Sequence, residues 1–105
     1  MTTSAAIVAR DHVNLMISND DSGEAFARVV LGLGRALRDL RIDLTGLPPA
    51  FLISPFFNGF LQAVWDEDVA LLEDAKQIQW QPEFEFQAEA IRRWTETFKP
   101  APAEA

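Results

Sequence analysis

The stretch from Ser54 to Trp65 restricts the fold more than any other part of the chain. Serine followed by proline is a helix start: the hydroxyl suits the cap, and proline in the first turn gives up an N–H that has no helical partner there. Behind it Phe56, Phe57, Phe60, Leu61, Val64 and Trp65 recur at helical spacing, with Asn58, Gly59, Gln62 and Asp66 on the opposite side. A stripe that wide has to be covered. The spacing predicts that Phe57, Phe60, Leu61 and Val64 pack onto a sheet.

Strand-like segments flank this helix. Leu40, Ile42 and Leu44 alternate with Arg41, Asp43 and Thr45, a strand that ends at Gly46. Residues 76–80 form a second strand, closed by Pro82, which has no N–H to give to a central ladder. Upstream, residues 6–9 and 13–17 are apolar pieces separated by Arg10-Asp11, an edge hairpin or one bent strand. Two more helices complete the pattern. Asp21 and Glu24 have capping-box spacing, and Phe26, Val29, Val30, Leu33 and Leu37 predict one helix face to about Arg38. Gly32 and Gly34 weaken that helix by about 1 kcal/mol each, and close approach of the helix to the sheet is their expected return. Phe84, Ala88, Ile91, Trp94 and Phe98 predict a helix over 83–98, and residues 69–75 read as the tail of the central helix or a short separate one. The expectation is an α/β fold, order β(β)αβαβα, with a small, mostly parallel sheet and helices packed on it.

Length and composition agree with one domain over residues 1–105, ordered over about 6–98 with short flexible tails. Hydrophobic residues make up 49% of the chain and include eight Phe and three Trp, enough for a core. Cysteine is absent, which excludes disulfides, thiolate zinc sites and cysteine nucleophiles and is compatible with a reducing cytosol. The first six residues have no basic or long apolar segment, so no signal peptide is expected, and apolar runs such as residues 50–54 fall far short of the roughly 20 residues that span a bilayer. Net charge is −7, with four basic and ten acidic groups in residues 53–105. Such a surface repels phosphate backbones and anionic lipid, so neither nucleic acid nor membrane is an expected partner. A fluorescence-anisotropy titration with duplex DNA or RNA at physiological salt should show no binding at low micromolar protein; a salt-sensitive rise would contradict this.

The segment Ile42-Asp43-Leu44-Thr45-Gly46-Leu47, followed by Phe51-Leu52-Ile53-Ser54 and an apolar helix, resembles the central signature of STAS domains, the fold of bacterial anti-sigma factor antagonists. In that family a strand of the form hydrophobic-Asp-Leu-Ser-Gly-Val leads through a short loop into a helix with serine in its first turn. The chain is also similar to a broader STAS-like family whose helix begins Ser-Ser-Phe, and Ser54-Pro55-Phe56 fits that variant better. The resemblance extends over about residues 7–98, with its motifs confined to 42–61. It implies a regulatory protein that docks on a switch kinase or ATPase, with Ser54 at the phosphorylation position. No acidic residue stands immediately before Ser54, no second hydroxyl beside it and no glycine directly after it, and Pro55 removes a donor that a phosphate would use. Docking survives these departures better than a phosphoswitch does.

Each chemical candidate has a structural alternative. Ser54 is a helix cap or a modifiable switch; a phosphate there would meet the positive helix end. Asp43, near the end of the central strand, is a metal ligand or an acceptor for loop N–H groups. His12 is the only histidine and has no triad or paired-histidine spacing, which makes it a surface or turn residue. Asp66-Glu67-Asp68 with Glu73-Asp74 lacks the glycine of an EF-hand loop and reads as a solvated helix end. Arg28, Arg35 and Arg38, on one predicted helix side, with Arg41 form a basic cluster for an acidic partner or a phosphate, or a set of solvated arginines. Trp94 and Phe98, with Phe84, are a core stripe or a partner surface.

Nothing here assembles a catalytic constellation, and neither a metal nor a cofactor is expected. The expected function is non-catalytic: a cytoplasmic, regulatory protein-binding module that docks through Asp43, Ser54, Asn58 and Gln62. Residues 54, 58 and 62 lie four apart, about 6 Å per step along one helix face. Its start at a helix N-terminus favours an anionic group on the partner. The alternatives are an assembly subunit forming a homodimer and, behind it, a small carboxylate-dependent enzyme.

Overall fold

The computed structural model describes residues 5–12, 19–47 and 53–100. Three strands, β1 (Ala5–Val8), β2 (Leu40–Asp43) and β3 (Gln79–Gln81), form an all-parallel sheet in the order β1-β2-β3. Helix α1 (Asn19–Leu31) links β1 to β2, and α2 (Ser54–Glu67) with the short α3 (Leu71–Ala75) links β2 to β3. Helix α4 (Glu85–Thr97) follows β3. The α/β expectation and its alternating order hold. The strand predicted over 13–17 and the Pro48-Pro49 break lie outside the described residues.

Each strand lies beside its predecessor, and the right-handed crossover that parallel strands strongly favour brings successive helices to one face of the sheet. The register aligns Ile7 with Ile42 and Ile42 with Trp80. Ile7 and Ile42 are buried, and the Phe57 and Phe60 rings of α2 meet the Trp80 indole edge-on at 5.2 and 5.1 Å. The alternate row, Val8–Asp43–Gln81, is half-buried to exposed, and Arg41 and Gln79 are exposed. Polar side chains on that second face suit contact with water, which is unusual for a parallel sheet.

Helix α2 is the centre of the core. Phe56, Phe57, Phe60, Leu61 and Val64 are all buried, as the spacing predicts. Phe26 of α1 stacks beside Phe56 at 6.2 Å and Phe60 at 5.7 Å, so one aromatic cluster joins both helices to the sheet. The helix begins one residue earlier than predicted: Ile53 is the cap, without a side-chain cap bond, Ser54 is the first helical residue and Pro55 lies within the first turn. Proline's fixed φ favours the helix from its first turn without help from a serine cap.

Helix α1 departs most from expectation. It begins at Asn19, which places Asp21 inside the helix rather than at its cap, and it ends at Leu31 instead of Arg38. Gly34, at φ +68°, takes the left-handed conformation that stops helices at little cost for glycine. Its buried face runs through Ser22, Gly23, Phe26, Ala27 and Val30, while Val29 and Leu33 are exposed. The close approach expected at Gly32 and Gly34 is therefore elsewhere. A Cβ at Gly34 would meet nothing within 4 Å, whereas one at Gly23 would overlap the Phe56 carbonyl oxygen and lie 2.9 Å from the Phe60 nitrogen. Small residues on α1 let its backbone run against that of α2.

The remaining helices seal the core edges. α3 is separate from α2 and tied to the turn before β2 by Arg38, whose guanidinium donates to the Asp74 carboxylate at 2.6 and 3.1 Å. α4 covers the β3 end: Gln87 accepts the Phe84 backbone N–H at 3.2 Å, Ile91 is buried, and the Trp94 ring lies 5.4 Å from Phe57. Among the described residues no helix is long and apolar enough to cross a membrane.

Candidate functional site

With its apolar side turned to the sheet, α2 presents Ser54, Asn58 and Gln62 outward, and these three line a cleft of about 620 Å³. Because α2 packs against α1 on one flank and α4 on the other, its polar face forms the floor. The first turns of α1 supply one wall, through Asp21 and Glu24. The end of α4 supplies the other, through Trp94, Phe98 and Lys99. Asp66, one further step of four along α2, closes the floor.

The cleft is acidic on one side and aromatic on the other. Asp66 is exposed, and its carboxylate accepts a hydrogen bond from the Gln62 amide at 3.0 Å. Glu24 is paired with Arg28 one helical turn along. Trp94 and Phe98 are each half-buried, so the alternatives of core stripe and partner surface merge: Trp94 packs on Phe57 and also walls the cleft. Three carboxylates against the single ammonium of Lys99 weigh against the anionic partner group expected from the helix N-terminus alone. They weigh equally against a phosphate on Ser54, which would enter the same acidic surroundings.

Asp43 is not part of this cleft. Its carboxylate accepts the Thr45 backbone N–H at 2.9 Å, closing the turn after β2. Hydrogen bonding from Thr45, first from its side chain and then from that backbone N–H, holds its pKa below the usual carboxylate value, and the positive charge of Arg10 adds a smaller contribution in the same direction. Asp43 thus takes the loop-acceptor role. Asp43 and the three α2 residues do not converge, because the strand end and the outer face of α2 border different parts of the surface.

The other candidates resolve into local contacts. His12 is exposed and stacks 6.5 Å from Phe26. Arg28 lies on α1, Arg35 and Arg38 lie beyond its end at Leu31, and Arg41 is on the open sheet face, so the helix side expected to carry the first three does not form. Asp68 accepts the Ala70 N–H at 3.0 Å, and Asp74 holds Arg38. Among the described residues no three acidic or histidine side chains are grouped to hold a metal ion. Asp66 was legible as a floor residue from the series 54, 58, 62, 66. The walls, from segments about 30 residues away on either side, carry no such signal.

No family model, curated protein or solved structure matches the chain.

Proposed function

We propose that this chain is a non-catalytic protein-binding module that seats a segment of a partner protein in the cleft over α2. The observation that carries this reading is the cleft itself. A polar, uncrowded helix face with Gly59 in its floor lies between two fixed walls, and rigid recessed surfaces bind with little ordering cost. The resemblance to STAS domains extends the reading to a regulator of a switch kinase or ATPase, since there too a partner docks at the helix after the central strand.

The test uses the native partner, isolated on the immobilised chain, identified by mass spectrometry and then purified. Asn58→Arg fills the exposed middle of the floor without touching the core. It should leave the melting temperature nearly unchanged and weaken partner binding at least tenfold, about 1.4 kcal/mol. Gln62→Arg should act in the same direction. Wild-type affinity in both variants would mean that the partner uses another surface.

A homodimeric assembly subunit is the second reading, and one observation favours it. Phe84 and Phe86 stack on each other at 5.9 Å while 45% and 76% exposed, an apolar pair at the surface. Sedimentation equilibrium distinguishes the readings: a dimer that Phe86→Ser dissociates supports assembly, and a monomer at micromolar concentration removes it.

A further inference from the structure

Resting on the assembly reading, we infer that α4 is the dimer contact: two copies of the chain pack α4 against α4, antiparallel, about a two-fold axis near Glu89 and Ala90. Within the chain only one side of α4 is used, where Ile91 and Thr95 are buried and Trp94 lies on Phe57. On the other side Phe86, Ala90 and Arg93 stand at i, i+4 and i+7, a single stripe over two turns. Phe86 is 76% exposed, the most exposed large hydrophobic side chain among the described residues, and Phe84 stacks on it at 5.9 Å. The Arg93 guanidinium is exposed and makes no ion pair among the described residues, although Arg92 beside it holds both Glu89 and Glu96.

Charge order along this face selects a second copy as the occupant. Glu85 and Glu89 lie in the first half of the helix, Arg92 and Arg93 in the second, and Glu96 in the last turn is already held by Arg92. Antiparallel pairing sets each half against its complement, so Glu89 of one copy meets Arg93 of the other, and the two-fold axis repeats the contact. A parallel arrangement on the same stripe would set like charge on like. The antiparallel register also lays Phe86 under Arg93 of the other copy, whose stem covers the ring while its cation favours the ring face. Ala90, small and at the crossing point, lets the two helices approach closely. A net charge of −7 per chain opposes self-association over most of the surface, but α4 holds three glutamates and two arginines and is close to neutral. None of Phe86, Glu89, Ala90 and Arg93 lines the cleft over α2, so a dimer formed here leaves that cleft open.

Sedimentation equilibrium of the full chain at micromolar concentration should show a dimer. Arg93→Glu and Glu89→Arg should each weaken it at least tenfold, because each sets like charges together at both symmetric contacts. An equimolar mixture of the two variants restores opposite charges at both contacts and should dimerise with close to wild-type affinity. Both positions are exposed, so each variant should fold as the wild type does. Arg41→Glu, an exposed reversal of the same size on the open sheet face, should leave the dimer intact. A wild-type monomer would overturn this contact together with the assembly reading. A dimer that both reversals leave unchanged, a mixture that stays monomeric, or an equal loss with Arg41→Glu would overturn the contact alone and leave assembly through another surface standing.

Discussion

Replacing Gly23 with alanine is expected to destabilise the fold by about 3 kcal/mol or more, at the upper end of what overpacking costs. The added methyl would point at the backbone of α2, into the Phe56 carbonyl oxygen and within 2.9 Å of the Phe60 nitrogen. Backbone at a helix start cannot swing aside as a long side chain can. To relieve the overlap, α1 has to slide or tilt against α2, and Phe26 would leave its seat between Phe56 and Phe60. In an isolated helix the same change stabilises by about 1 kcal/mol, so the sign of the effect reports tertiary contact and nothing else. Gly32→Ala is the matched control: its methyl would sit 3.4 Å from the nearest oxygen, an ordinary contact. Thermal melts should show Gly23→Ala more than 10 °C below wild type, at about 4–8 °C per kcal/mol for a domain of this size, with Gly32→Ala within a few degrees. Equal melting temperatures would mean that α1 and α2 do not touch at this point.

The same glycine marks where sequence reasoning stops. Helix α2 was legible because its information is local: a proline in the first turn and a stripe of large apolar residues at one period. The strand at Leu40–Asp43 was legible for the same reason, with period two in place of 3.6. Gly23 reads as turn chemistry beside Asn19-Asp20-Asp21-Ser22, since nothing in its neighbours says that Phe56 lies against it. Val29 and Leu33 extend the apolar period of α1 past its buried face, and only the packing partner reveals that Ser22, Gly23 and Ala27 are the contact residues. The candidate site divides in the same way. Ser54, Asn58 and Gln62 share a face by spacing alone, and the structure places them together in the cleft. Asp43 was grouped with them because it ends the central strand, yet which side of the molecule a strand end borders is a property of the sheet. The α4 wall depends on where the last helix lies across α2, which the Phe57–Trp94 contact fixes.

Truncating Phe60 to alanine should cost about 3–5 kcal/mol, a large share of the 5–15 kcal/mol available to a domain of this kind. Its ring is fully buried and touches both neighbouring layers, with Phe26 of α1 at 5.7 Å and Trp80 of β3 at 5.1 Å. Removing it opens a cavity whose walls belong to three different elements, and walls held by separate elements collapse poorly. Among the described residues the buried indole nitrogen of Trp80 has no hydrogen-bond partner, so that side chain is held at this junction by packing. Urea unfolding followed by tryptophan fluorescence should place the midpoint of Phe60→Ala about 1 M or more below wild type, at slopes of roughly 1–3 kcal/mol per molar. Phe86→Ala, with its ring three-quarters exposed, should move the midpoint little. Gly23 lies against the Phe60 backbone, so the two changes share one contact and should not add: once the Phe60 ring is gone, α2 can yield to the alanine at position 23. A Gly23→Ala, Phe60→Ala double variant is therefore expected to lose less than the two single losses combined. Strict additivity would show that the aromatic cluster and the glycine contact are independent, and an unchanged Phe60→Ala midpoint would show that this face of α2 does not meet the sheet.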